Sequence, residues 1–442
     1  GRCRKSLNSI RYPGLLYKPI RSAYYTVKGQ MAMMKQEFDG AEKMMKKGLD
    51  LGTPMKEVKG ASMLQMGMIA MQKGDAKQAE SYIRQAIREG LPDKENEAAA
   101  YLQMCTIMLN KGNITHFRAG KEYFRKAKAL KPSLQTILGG STVSGAVGPS
   151  LMGEYPFVDY MIQGEGELPM AAIVRSLQHG HEVAGDLKGI LTRDNFAANP
   201  RGVDLWEVPN MDELPLPDFR GYAEVADALG LAWFVPVEGS RGCWWDRGKR
   251  TGNVKATCFF CNLNVQWNGY REKSVERLVS EVRELSDEYQ NSSVFFLDNI
   301  IRTQGADEMG KALAAHGKDY VLFYELRANL SPYELLCMEE GGLRYVQFGI
   351  ESLSSSYLKR IGKGTTTIQN LQAMKTCQEL GLMNNANLIT HFPGSLDSEV
   401  RENCDVIMNY AIAYQPLQSV PFQLGLGSTV DYLPAEFGAT SI

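Results

Sequence analysis

The chain has 442 residues, 44% hydrophobic and 22% charged, with 49 Lys and Arg against 50 Asp and Glu; that is an ordinary globular composition, long enough for two or three domains. No apolar run approaches the roughly 20 residues of a membrane helix, and the basic opening "GRCRKSLNSIRYPGLL" has no signal core, so neither a membrane span nor secretion is expected. Eight sparse, unevenly spaced cysteines exclude a disulfide framework and suit a reducing cytoplasm.

Net charge near zero hides a split. Residues 1–133 carry 25 Lys and Arg against 12 Asp and Glu, whereas residues 134–442 carry 24 against 38. Two modules with different surfaces are expected. The basic residues of the first are dispersed over helical faces rather than clustered, which argues against nucleic acid as partner. Residues 1–22 read as a leader of unknown role. From 23 to 133 the pattern is helical, and an internal repeat aligns "KGQMAMMKQEFDGAEKMMKKGLDLG" with "LQMGMIAMQKGDAKQAESYIRQAIREGLP" and "LQMCTIMLNKGNITHFRAGKEYFRKAKALKP". A small residue opens each unit (Gly29, Gly67, Cys105), and Ala41, Ala79 and Gly120 recur later. Such residues let paired helices approach closely and report packing, as does the stripe that includes Met31, Met34, Met63 and Met66. The repeats resemble tetratricopeptide repeats, whose grooves bind peptides or proteins; a protein partner on these helices is the corresponding expectation, with structural filler as the equal alternative.

From 134 to 222 the rhythm changes. "QTILGGS", "VDYMIQGEGE" and "LKGILTRD" read as strands, with helices between them, in the strand–glycine–helix grammar of a doubly wound α/β sheet. Three strands make half of such a domain. The proline-rich, acidic "VPNMDELPLPDFRGY" reads as a linker. From 223 to 442 strands and helices alternate, with "AWFVPVE", "SVFFLDN", "YVLFYELRANL", "YVQFGIES", "NNANLIT" and "QSVPFQLG" as six strands. An open six-stranded (β/α)6 barrel is the expected fold, with function at the C-terminal ends of the strands.

Directly after the first of these strands, "GSRGCWWDRGKRTGNVKATCFFCNLN" gathers Cys243, Cys258 and Cys261. Structural zinc wants four protein ligands, and no histidine lies near; a distant Cys337, Cys377 or Cys404 would have to complete the set. Packing cysteines seldom sit between "RG", "WW" and "FF" in a glycine-bearing loop. An iron–sulfur cube held by three thiolates leaves one iron open, as catalytic metal centres do, and this is the favoured reading.

The strings "SRGCWW", "CFFCNLN", "FFLDNI", "FYELRANL", "QFGIESLS", "KGTTTIQNLQAMKTCQELGL", "ANLITHFPG" and "PFQLGLGSTVDYLPAEFG" resemble, in order, the radical S-adenosylmethionine superfamily, in particular the cobalamin-binding-domain type known as RiPP maturation radical SAM proteins. The resemblance runs over some 300 residues, from about residue 135. It implies that Cys243, Cys258 and Cys261 hold a [4Fe–4S] cluster whose open iron chelates S-adenosylmethionine, and that one electron, from a reductant such as flavodoxin or ferredoxin, cleaves the sulfonium to a 5′-deoxyadenosyl radical. Phe260 would lie against the adenine, Glu351 and Ser352 would bind the ribose or methionine end, and Asp298 and Asn387 would line the same cavity. The substrate implied is a peptide or its leader, the outcome a modification such as C-methylation, and the compartment the cytoplasm. "ILGGSTVSGAVGPSLMGEYPFVDYMIQGEGE" resembles the second half of the family's cobalamin domain, so Gly140 and Gly164 would approach a nucleotide tail. Helices replace the first half, and no DxHxxG motif supplies a cobalt ligand, which weakens cobalamin. The fourteen residues between Cys243 and Cys258 exceed the family's spacing, Arg327 stands where Lys is common, and His391 and Ser395 replace a Gly and a Glu. The alternative is a repeat scaffold carrying an inactive barrel.

Overall fold

The computed structural model describes residues 10, 12–33, 35, 37–52, 56–111, 114–180 and 187–439; residues 1–9 and 11 of the expected leader, and Met34, lie outside the described residues. The chain divides into two compact units, Gly1–Thr136 with Pro156–Asp159, and Ile137–Tyr155 with Tyr160–Ile442. The stretch 134–222 is thus no compact unit of its own, because nearly all of it packs with the 223–442 region.

The first unit is helical. Six helices, α1 (Lys18–Met33), α2 (Phe38–Asp50), α3 (Lys56–Gln72), α4 (Ala76–Glu89), α5 (Lys94–Asn110) and α6 (Ile114–Leu130), follow one another. The starts of α4 and α5 are fixed by Asp75 and Asp93, whose carboxylates accept the backbone N–H groups of Gln78 and Asn96. In α3 and α4, Gly60 faces Gly90 and Gly67 faces Ile83, so the two run antiparallel. Gly29 faces Ala41 and Met45 in the same manner across α1 and α2, and Gly120 faces Cys105 and Leu109 across α5 and α6. The small residues of the repeat therefore sit where helix backbones come closest. Met45, Met66, Ile69, Ile83 and Met104 fill the core beneath them.

In the second unit, β1 (Ile137–Leu138), α7 (Val147–Glu154), β2 (Tyr160–Ile162), α8 (Glu167–His179) and β3 (Ile190–Thr192) form a small three-stranded layer. β1 and β2 are parallel, but β3 runs antiparallel to β2, contrary to the doubly wound expectation. α8 ends in a left-handed Gly180 cap, and β3 then enters from the opposite end, with the Gly189 (φ +81°) carbonyl accepting the Gln163 N–H and its own N–H donating to Asp204. The acidic linker is not loose. Its Met211 is buried, and Arg277 donates to the Leu214 carbonyl at 2.8 Å.

After α9 (Arg220–Ala228), a parallel sheet is built from β4 (Val235–Val237), β7 (Ser293–Phe296), β8 (Val321–Leu326), β9 (Leu343–Phe348) and β10 (Met383–Asn384), in the order β10-β9-β8-β7-β4. β11 (Asn387–Thr390) and β12 (Gln418–Pro421) form a separate parallel pair, joined to the sheet through a bridge between Glu351 and Leu388. The expected six-stranded barrel thus differs: the fifth predicted strand breaks between Asn384 and Asn387, leaving five strands in one sheet and two in another. Helices α11 (Val275–Glu288), α12 (Ala306–Ala314), α13 (Pro332–Glu340) and α15 (Thr367–Leu380) intervene, with the four-residue α10 (Gly248–Thr251) and the short α14 (Ser355–Arg360) between. Capping boxes Ser331/Glu334 and Thr366/Gln369 start α13 and α15. Val237, Val294, Phe296, Leu322, Leu326 and Phe348 alternate onto the helix-facing side and make the core with Val282, Leu313 and Met338. The antiparallel ribbon of β5 (Ser240–Arg241) and β6 (Arg271–Glu272) closes the base of the cysteine loop.

Candidate active site

The cysteine loop springs from the C-terminal end of β4 and is held at its root by Asp298, just beyond β7. Asp298 accepts the N–H groups of Gly239 (2.7 Å) and Ser240 (2.8 Å) on one oxygen and the Tyr324 hydroxyl on the other. Its carboxyl is 2% exposed. Burial pushes its pKa up to about 6 against the pull of those three donors. The structure therefore spends Asp298 on fixing the loop rather than on lining a cavity.

A second anchor ties the loop to the small layer. Arg241, two residues before Cys243, meets Glu165 and Glu167 of the "GEGE" turn and Glu238, each at 2.8 Å, and Arg271 meets Glu165 and Glu207. Gly164 (φ +87°) is packed there as well: a Cβ would lie 2.9 Å from the Trp206 carbonyl. This glycine serves close packing of the turn. Gly140 (φ +91°) has nothing within 4 Å of its Cβ direction and faces open space.

The three thiols lie close enough to influence one another. Burial pushes Cys261 up to about 12, with the neighbouring Cys258 and Cys243 adding to the rise, and burial likewise raises Cys243. Metal binding here must displace protons. Among the described residues no three His, Cys, Asp or Glu side chains converge as ligands of one ion.

Arg327, at the end of β8, is the cation of the site. It is 4% exposed, its Nη1 donates to Cys258 Sγ at 3.9 Å, and its Nη2 is buried with no partner among the described residues. The guanidinium lies over the rings of Trp245 (4.1 Å) and Trp244 (5.9 Å). The indole N–H groups are taken by the carbonyls of Gly362 (3.2 Å) and Ile301 (3.0 Å), so both rings are fixed. A buried cation with no carboxylate partner and one idle donor is costly unless negative charge arrives beside it. Three thiolates of a cluster, or the carboxylate of a chelated amino acid, would supply that charge. The residues fit the expected group.

Lys363 is the second buried cation, bonded at 3.0 Å to Glu351 Oε1. Burial works to lower its pKa, but Glu351 and Cys258 outweigh it and the net shift is upward. Glu351 sits in the left-handed region (φ +59°) just past β9, held by its own N–H on the Asn387 carbonyl and its carbonyl on the Ile389 N–H. Such strain in a residue other than glycine is stored at functional sites. Asn387 thus positions the Glu351 backbone from β11. Ser352 turns away: its hydroxyl donates to Asn403 and accepts from the Ser354 N–H, anchoring the loop to the helix that follows β11. Phe260 packs with Tyr357, Leu358, Phe392 and Val430 beside the cysteines. Cys243, Cys258, Arg327, Glu351 and Lys363 are brought together; Asp298 and Ser352 support from behind. The expected site lacked Lys363, although its setting between two positive-φ glycines, "GKG", was a legible signal.

Cys261 also borders a cavity of about 690 Å³ whose far side is Gly145, Lys188, Arg201 and Leu205 of the small layer. An adjoining cavity of similar size is lined by Ser141, Thr142, Ser144 and Gly145, and the Ser144 hydroxyl is buried without a partner among the described residues.

Residues 240–407 match the family model of the Radical SAM superfamily. The chain is 31% identical over 294 residues to "Uncharacterized methyltransferase PH0819" of Pyrococcus horikoshii, covering 64% of this chain and 59% of that protein. It is 21% identical over 308 residues to the anaerobic magnesium-protoporphyrin IX monomethyl ester cyclase of Cereibacter sphaeroides, covering 67% and 47%. Its fold is similar to the cobalamin-dependent S-adenosylmethionine radical enzyme OxsB (TM-score 0.56, 17% identity, 87% of this chain and 52% of that one). The methyltransferase TsrM of Kitasatospora setae is similar too (TM-score 0.54, 14% identity, 72% and 62%). The chain spans about half to three-fifths of the length of these proteins. Among the described residues no helix is long and apolar enough to cross a membrane. The segment that matches the Radical SAM superfamily model, residues 240–407, is the one that carries the cysteine loop and the buried cations.

Proposed function

We propose that this chain is a radical S-adenosylmethionine enzyme of methyltransferase type, with Cys243, Cys258 and Cys261 as ligands of a [4Fe–4S] cluster. The observation that carries it is Arg327: a buried guanidinium against Cys258, lacking a carboxylate and keeping an idle donor. When bound, the cluster and S-adenosylmethionine supply one-electron cleavage of a sulfonium carbon–sulfur bond. The chain's own residues hold and shield. Arg327 and Lys363 compensate negative charge, Trp244 and Trp245 exclude water, and Glu351, presented by its strained backbone, orients a polar group of the nucleoside or amino acid. Phe260 offers a ring edge to the adenine.

Cobalamin is the second cofactor proposed, beside Gly140 and the unpartnered Ser144. Among the described residues that line the two cavities there is no histidine. The substrate proposed is a peptide or its leader, with the helical unit, whose repeats resemble tetratricopeptide hairpins, as the surface that binds it. Relatives named as methyltransferases support a methylated product.

The test is anaerobic reconstitution with iron and sulfide, reduction with dithionite in the presence of S-adenosylmethionine, and chromatography for 5′-deoxyadenosine. Product is expected from the wild type and should vanish in Cys258→Ala. A chain that takes up no labile sulfide would sink the reading and leave the helical unit as the functional part.

A further inference from the structure

The fourteen residues between Cys243 and Cys258, "WWDRGKRTGNVKAT", are ordered rather than looped out. Arg247 N–H bonds the Ala256 carbonyl at 2.9 Å, Thr429 bonds the Val254 carbonyl, and Lys255 pairs with Glu436. Lys249 donates to the carbonyls of Val265 (3.1 Å) and Trp267. Arg247 and Arg250 are exposed as well, Arg247 beside the Trp245 ring. With Trp244, Lys249, Asn268 and Tyr270 they line a concavity of about 460 Å³.

Two features set this surface apart. The loop carries four cations and one acid, on a region (residues 134–442) where 38 acidic residues face 24 basic ones. An acidic macromolecule is repelled by the region as a whole and drawn to this patch. The patch also has a short, contiguous contact path inward. Arg247 lies 4.9 Å from the Trp245 ring, Arg327 lies 4.1 Å from the same ring, and Arg327 lies 3.9 Å from Cys258 Sγ.

We infer that the Cys243–Cys258 insertion is the docking surface for an acidic one-electron carrier protein that reduces the cluster. The inference rests on the radical-site reading above and adds where the electron enters. The step balances simply: the carrier's reduced iron–sulfur centre loses one electron, the cluster gains it, and no bond or proton moves at the surface. Steering by exposed charges acts on association and is weakened by salt.

The experiment uses the reconstituted holoenzyme and a labelled, acidic [2Fe–2S] ferredoxin, with anisotropy giving the Kd at low and near-physiological salt. Freeze-quenched electron paramagnetic resonance follows electron transfer to the enzyme's cluster. Arg250→Glu should raise the Kd about fivefold at low salt and slow ferredoxin-driven reduction in parallel, while Arg250→Lys stays near wild type. 5′-Deoxyadenosine formation with dithionite should be unchanged in both variants, because Arg250 lies outside the cluster pocket. Wild-type Kd and reduction rate in Arg250→Glu would overturn the docking inference alone. Failure of the dithionite reaction in the wild type would overturn the radical reading and this inference with it.

Discussion

Asp298 shows how one carboxyl can be essential to a site without facing it. Folded, it keeps its proton up to about pH 6; unfolded, it loses it near its ordinary 3.8. Between those values the folded chain binds more protons than the unfolded one, so stability falls as pH rises through that window, and the penalty is complete above about 6. Two units correspond to roughly 3 kcal/mol. Asn at this position keeps an oxygen for the Gly239 and Ser240 N–H groups and offers its amide to the Tyr324 oxygen, with no charge to bury. Asp298→Asn should therefore gain on the wild type between pH 4.5 and pH 7.5 in urea unfolding. A gap between the two proteins that stays constant with pH would show that the three donors, not burial, set the carboxyl. Arg327 poses the opposite balance, a buried cation beside the Cys258 thiol, whereas Lys363 already has Glu351.

The loop that follows α14 is the element that presses the cysteine loop into place. Phe259 donates to the Ile361 carbonyl at 2.8 Å, Trp245 donates to Gly362, and Lys363 reaches past Gly349 to Glu351. Two left-handed glycines make that path available, Gly362 (φ +68°) and Gly364 (φ +71°). A Cβ on Gly364 would fall 2.0 Å from the Trp245 ring, whereas Gly230 has a similar φ (+65°) and nothing within 4 Å. Both Ala variants share the backbone strain, about 1 kcal/mol, and only Gly364→Ala adds the overlap. Gly364→Ala should cost roughly 2–4 kcal/mol in all and let air bleach the reconstituted cluster several-fold faster than in Gly230→Ala. Equal bleaching in the two variants would mean that Trp245 does not shield the site. His391 carries a related mark: at φ +60° it occupies a conformation suited to glycine, which is the residue the resembled motif has there.

At the scale of the whole chain, much was legible because hydrophobic period and glycine placement speak directly of backbone. Small residues at Gly29, Gly67 and Gly120 announced helix contacts, and all three sit where helices meet. Most strands of 223–442 fell where the sequence put them, down to β8 with its buried Leu322, Tyr324 and Leu326, but the fifth splits between β10 and β11. Strand direction and side-chain aim were not legible. β3 is three residues long, too short for its sequence to say which way it pairs, and Ser352 and Asp298 look like site residues until their hydrogen bonds are counted. Lys363 was signalled only by its place in "GKG", since its partner Glu351 lies twelve residues away on another element.

The helical unit allows a last prediction about division of labour. A Cβ on Gly60 would lie 1.9 Å from the Gly90 carbonyl oxygen, a backbone atom that cannot rotate aside. Gly60→Ala must therefore push α3 and α4 apart, at a cost of about 1–3 kcal/mol despite alanine's better helix propensity. Circular dichroism at the helical band should show a lower melting midpoint for the variant. Cluster content and dithionite-driven 5′-deoxyadenosine should stay at wild-type levels, because Arg327, Lys363 and the three cysteines all lie in the other compact unit. If cluster content fell with helix stability, the catalytic unit would depend on the helices for its fold. If both held while modification of a peptide failed, the helices would be the part that binds it.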